Sequence, residues 1–121
     1  MEATVFATKQ YEREAKRLLD RAEIAAMETS IAADPEAHPV VTGTGGIRKA
    51  RWARQGKGKS GGVRVIYYFW SADNEVYMLF VYAKKDQDDL DADSRKAAKK
   101  FIEDLKNAKQ KRGQGRSPSK S

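Results

Sequence analysis

Lysine and arginine do chemistry on phosphate when a fold fixes several of them close together. Residues 48–64 hold seven such side chains, Arg48, Lys49, Arg51, Arg54, Lys57, Lys59 and Arg64, and no acidic one. The formal net charge of the whole chain is +7, so this segment alone equals it. Crowded like charges repel and cost stability, so a cluster of this kind fits a surface that holds a polyanion. Nucleic-acid phosphate is the commonest such partner. Arginine supplies a permanent, two-pronged phosphate clamp. A lysine crowded by other cations gives up its proton more easily, so it can serve as acid or base without histidine. RNA needs little more, because its 2′-OH is a built-in nucleophile. The protein has to position that hydroxyl, accept its proton, stabilise the charge building on phosphorus and protonate the leaving oxygen. Electrostatic stabilisation of this kind is typically the largest catalytic contribution. The plainer alternative is a solvated basic face with no chemistry.

Other chemistries are poorly supplied. There is one histidine, His38, between Ala37 and Pro39, and no cysteine. Disulfides and thiolate metal sites are therefore excluded, no His pair or Cys cluster offers a standard transition-metal site, and no cofactor is expected. No Ser/His/Asp or Cys/His nucleophile set can be assembled. Ala53–Ser60 (ARQGKGKS) nearly matches a P-loop, with Ala53 in place of the first glycine. A P-loop opens a helix whose N-terminus faces phosphate, and here a strand-like run follows instead.

A chain of 121 residues is one domain. Met1–Lys9 contains no long apolar run, so no signal peptide is expected, and no stretch approaches the ~20 apolar residues of a membrane span. The elements that must position the cations read as follows. Ala3–Phe6 is a short strand. Thr8 caps a helix over Lys9–Leu19, whose Tyr11, Ala15, Leu18 and Leu19 recur at helical spacing. Asp20 and Glu23 form a capping box for a second helix ending near Ala33. Asp34-Pro35 and His38-Pro39 then break the chain. Val41–Gly46 is a turn, Ile47–Arg54 alternates as a strand, and Gln55–Gly62 is a basic loop. Val63–Trp70 and Glu75–Tyr82 are strands apolar on both faces, joined at Ser71–Asn74 into an antiparallel meander. Asp93 or Ser94 caps a last helix with the stripe Ala97, Ala98, Phe101, Ile102, Leu105. From Lys106 onward the apolar period is lost, so residues 1–107 are read as the domain and 108–121 as a basic, disordered tail.

Side chains alternate across a strand, so Lys49 and Arg51 share a face with Ile47, and Arg64 shares one with Ile66 and Tyr68. If the faces coincide, Lys49, Arg51 and Arg64 converge on one open surface. Lys84 and Lys85 would close it from beyond the last strand. Tyr68 and Tyr82 could stack on a base or pass a proton, against the commoner reading as packed sheet aromatics.

The run GTGGIRKARWARQGKGKSGGVRVIYYF, followed by VYMLFVYAKKDQDDL and a Lys-rich amphipathic helix, resembles the HigB-like branch of the RelE toxin superfamily over residues 1 to 107. The resemblance implies an α+β fold: a small mixed, mainly antiparallel sheet of about four strands with an N-terminal helical hairpin and a C-terminal helix. It implies a bacterial, cytoplasmic toxin that cuts mRNA on the ribosome by 2′-OH attack, without a metal. It also implies a cognate antitoxin, of helix-turn-helix type, through which alone operator DNA is met, and no membrane partner. By position it places catalytic roles on Lys49, Arg51, Arg64 and Lys84 or Lys85. RNA or ribosome contacts fall on Arg48, Arg54, Lys57, Lys59, Tyr68 and Tyr82. A catalytic tyrosine present after the last strand in RelE has no counterpart in Asp86–Asp91, which leaves Tyr82, Lys84 and Asp86 as candidates for proton transfer. The alternatives are a ParE-like toxin acting on DNA gyrase and a non-catalytic RNA-binding module.

Overall fold

The computed structural model describes residues 1–53, 62–87 and 89–116, with side chains as far as Lys111. Its elements are β1 (Thr4–Ala7), α1 (Lys9–Leu18), α2 (Arg21–Ala33), β2 (Arg48–Trp52), β3 (Val63–Trp70), β4 (Glu75–Ala83) and α3 (Ala92–Arg116). The strands form one sheet in the order β1-β4-β3-β2. The β2–β3–β4 meander is antiparallel as expected, and β1 adds a parallel edge to β4.

Local chemistry sets the helix starts. The Thr8 hydroxyl accepts from the Tyr11 N–H at 3.1 Å and donates to the Leu79 carbonyl at 2.9 Å, so one oxygen both caps α1 and pins it to β4. Asp20 and Glu23 complete the capping box of α2. At the first turn of α3 the cap is Asp91, not Asp93 or Ser94, because its Oδ1 accepts from the Ser94 N–H at 2.7 Å.

The sheet is covered on both faces. Met27, Ile31, Tyr11 and Ala15 of the α1–α2 hairpin pack on Ala50, Val63, Val65, Tyr67, Val76, Met78 and Val81. Ala98 and Ile102 of α3, with Leu90, pack on Ile47, Ile66, Leu79 and Tyr82. Each large side chain buried this way is worth roughly 1.5–3 kcal/mol. That explains why β3 and β4 are apolar on both faces. A bulge keeps the two faces in step: Ile66 pairs with Phe80 and Tyr67 with Met78, which leaves Leu79 as the extra residue.

The expected boundary at residue 107 falls inside a helix, since α3 continues to Arg116. Lys109 reaches the β3–β4 turn, where its Nζ bridges Asp73 and Glu75 and lies 5.7 Å from the centre of the Trp70 ring. A lysine stem makes this contact, so the apolar period stops before the helix does.

Candidate nucleic-acid interface

Register brings the cations together. Arg51 of β2 pairs with Arg64 of β3, and Arg64 pairs with Tyr82 of β4. Directly opposed residues share a face, so these three form one row across the sheet. The next row is Lys49, Ile66 and Phe80. All of this is the α3 face, near the sheet end where β2 and β4 finish and β3 begins. The C-terminal part of α3 reaches the opposite end, where Lys109 meets the β3–β4 turn. Lys84 and Lys85, both exposed, follow β4 at the open end, and the Lys84 N–H donates to the Gly62 carbonyl at 3.0 Å.

The members of the row differ. Arg51 is exposed, whereas Arg64 is 8% exposed, its stem set into the sheet between Arg51 and Tyr82. Among the described residues neither guanidinium has a carboxylate partner within ion-pair distance. The Tyr82 side chain is buried beside Arg64.

Lys49 differs from both arginines. Its Nζ lies 3.2 Å from Asp89 Oδ1, and Arg95 Nη2 lies 3.6 Å from Asp89 Oδ2. The Leu90 N–H, donating at 2.8 Å, and then Lys49 hold the Asp89 carboxyl below the usual aspartate range. The close charged neighbour of Lys49 is thus a carboxylate, not the crowd of cations that the sequence reading invoked for a lysine acid or base. Beside this group lies a hollow of about 270 Å³ lined by Pro39, Val40, Val41, Thr42, Lys49, Asp89 and Arg95.

Other expected contacts fall elsewhere. Arg48 alternates to the α1–α2 face, where its guanidinium donates to the carbonyls of His38 at 2.6 Å and Glu36 at 3.3 Å. It pins the 34–39 linker, as does Tyr67, whose hydroxyl donates to the Pro35 carbonyl at 2.6 Å and is pushed up to about 12 by burial. Tyr68 is on the cleft face but two side-chain steps from Arg64, about 13 Å along the strand. There its ring packs on the Val41–Gly46 turn, and a Cβ on Gly46 would come within 3.1 Å of it. Burial raises its hydroxyl as well. Arg54, Lys57 and Lys59 lie outside the described residues, as does the rest of the expected loop up to Gly61. Asp89 and Arg95 were not singled out from sequence. Their only signal is an acidic run directly after the last strand, which reads equally well as a solvated turn.

Among the described residues no group of three or more His, Cys, Asp or Glu could hold a metal ion, and no helix is long and apolar enough to cross a membrane.

A mixed four-stranded sheet, backed by a helical hairpin on one face and crossed by a C-terminal helix on the face that carries Lys49, Arg51 and Arg64, defines a small basic α+β protein. The family model of the RelE toxin of the RelE/RelB toxin–antitoxin system matches residues 3–114, and the chain belongs to that family. It is accordingly a toxin whose partner is a cognate antitoxin. Its fold is similar to that of E. coli toxin RelE, solved in the free state as a double arginine-to-alanine variant. The match has a TM-score of 0.60 and 17% identity, over 84% of this chain and 99% of that one. At that identity the likeness is one of fold.

Proposed function

We propose that this toxin is an endoribonuclease that cuts mRNA on the ribosome by metal-independent attack of the 2′-OH. The observation that carries the reading is the Arg51–Arg64 pair: two arginines directly opposed on one face of the sheet, Arg51 exposed and Arg64 buried, with no carboxylate partner among the described residues. Such a pair can clamp the non-bridging oxygens of one phosphodiester and stabilise the extra charge that the transition state places there. The 2′-oxygen bonds to phosphorus and the bond to the 5′-oxygen of the next nucleotide breaks. A 2′,3′-cyclic phosphate remains on one fragment and a 5′-OH on the other. The proton leaving the 2′-OH passes to a base, and a proton is delivered to the departing 5′-oxygen. Tyr82, Lys84 and Asp86 are the candidates for those transfers, with Lys85 adding charge after β4.

The chain then belongs to the HigB-like branch, and its 53–62 segment, with Arg54, Lys57 and Lys59, grips ribosomal or messenger RNA. The toxin acts in the bacterial cytoplasm, where translating ribosomes are. Its antitoxin is of helix-turn-helix type and is the toxin's sole link to operator DNA. The test is the chemistry of the ends. Message cut in a translating extract should carry a 2′,3′-cyclic phosphate at each upstream end and a 5′-OH at each downstream end. Upstream ends bearing a 3′-OH would reject the mechanism.

A further inference from the structure

The Lys49–Asp89–Arg95 group brings two cations from different elements onto one carboxylate. A carboxylate that offers one oxygen to a lysine and the other to an arginine copies the way a phosphodiester presents its two non-bridging oxygens. The contacts, 3.2 and 3.6 Å, are longer than the about 2.7–2.9 Å of a well-made charge-assisted bond. The Asp89 side chain is also 56% exposed. Exposed pairs of this quality add little stability, so an incoming anion can compete for the two cations, while the Leu90 N–H, at 2.8 Å from Oδ1, can keep its bond to the carboxylate. Arg95 is held in place independently, its Nη1 donating to the Thr42 carbonyl at 3.3 Å. The adjoining hollow of about 270 Å³ is lined on its apolar side by Pro39, Val40 and Val41, with Val40 47% exposed. Lys49 lies two residues from Arg51 on the same face of β2, about 6.6 Å along the strand. That is a step comparable to the one between consecutive phosphates of a stretched single strand.

We infer that Lys49, Arg95 and the Pro39–Thr42 shelf form a phosphate subsite for single-stranded RNA, next to the bond held by Arg51 and Arg64, and that the Asp89 carboxylate occupies this subsite in the free protein. The inference rests on the nuclease reading for its choice of ligand. It adds a binding residue from α3, Arg95, and an internal competitor, Asp89. RNA entering the cleft expels Asp89 from between the two cations, so the acid sets a threshold that weak, short or misplaced RNA does not pass.

The experiment is fluorescence anisotropy of the full chain with a labelled 2′-O-methyl oligonucleotide, which cannot be cut because its nucleophile is blocked. Asp89→Asn should tighten binding several-fold. Asp86→Asn makes the same charge change on a carboxylate that bridges neither Lys49 nor Arg95, and should tighten it clearly less. Arg95→Gln should weaken binding several-fold and lower the slope of log affinity against log salt by about 0.7, the share of one single-strand phosphate contact. Arg95→Lys should recover most of the loss. Equal effects of Asp89→Asn and Asp86→Asn would overturn the inference, as would weaker binding by Asp89→Asn. Unchanged binding by Arg95→Gln would overturn it however the Asp89 variant folds. If these binding shifts appear but message stays intact on ribosomes, the nuclease reading fails and the subsite stands. If cutting persists with binding unmoved, the subsite fails alone.

Discussion

Arg51 and Arg64 face one another across β2 and β3, one exposed and the other buried in the sheet. A buried arginine stem is held to few rotamers, so in the proposed clamp Arg64 would be the pre-positioned half and Arg51 the half that adapts. Replacing Arg64 by Gln should therefore lower single-turnover mRNA cleavage by about 10²-fold or more, the scale seen when one donor to a developing oxyanion is removed. Arg51→Lys keeps the charge but not the fork, and should cost less than Arg64→Gln in the same assay. The placement of both arginines on one face was legible in the sequence, since strand alternation puts Lys49 with Arg51, and a meander makes Arg64 their neighbour. The partner of Lys49 was not. Asp89 is forty positions away in the chain. A carboxylate in an Asp-rich turn carries no mark that one of its number folds back onto a strand. The distance of Tyr68 from Arg64 was hidden for a related reason: alternation gives the face but not the position along it, and the glycine turn that receives its ring is itself non-local.

At the scale of elements, the contacts that hold α3 over the sheet decide how much of the cleft stays open. Burial pushes the Glu75 carboxyl upward, but hydrogen bonds from Lys109 and Tyr77 outweigh it and bring it below its ordinary 4.5. Burial likewise pulls the Lys109 ammonium down, and the bonds to Asp73 and Glu75 outweigh it, leaving it above 10.5. The Glu75 contribution to stability is thus complete above pH 4.5 and lost as pH falls through the lowered folded value. The Lys109 contribution is complete below pH 10.5 and lost as pH rises through the raised one. Lys109→Ala should lower the melting temperature by a constant amount across the neutral range, and by less once Glu75 is protonated. It should also raise amide exchange in the last turns of α3 while sparing β3 and β4. Asp20→Ala tests a separate joint. Losing the capping box of α2 should cost about 1 kcal/mol in urea titration, with the slope unchanged. The helical hairpin and the meander announced themselves through caps, 3.6-residue spacing and doubly apolar runs. The reach of α3 did not, because a lysine stem over Trp70 replaces the apolar stripe. The parallel pairing of β1 was also hidden, because its partner β4 lies about seventy residues further on.

For the whole molecule, charge distribution matters more than charge sum. The +7 of the chain is concentrated at residues 48–64, and β2 and β3 carry part of that segment onto one face of the sheet. The family supplies an antitoxin as the chain's partner. Expression should arrest growth, and co-expression of the cognate antitoxin should relieve the arrest. Affinity for a blocked RNA strand should fall steeply as salt rises, by a slope of about −0.7 for each phosphate neutralised. Arg51→Gln should flatten that slope. The nuclease, the gyrase poison and the passive RNA binder all bear positive charge, so none of these measurements separates them. Primer extension on a translated message does. With the purified chain added, the account predicts new 5′ ends inside the coding region that require active translation and vanish in the Arg51→Gln, Arg64→Gln double variant. Message that stays full length while the wild-type chain stops protein synthesis or damages DNA topology would contradict it.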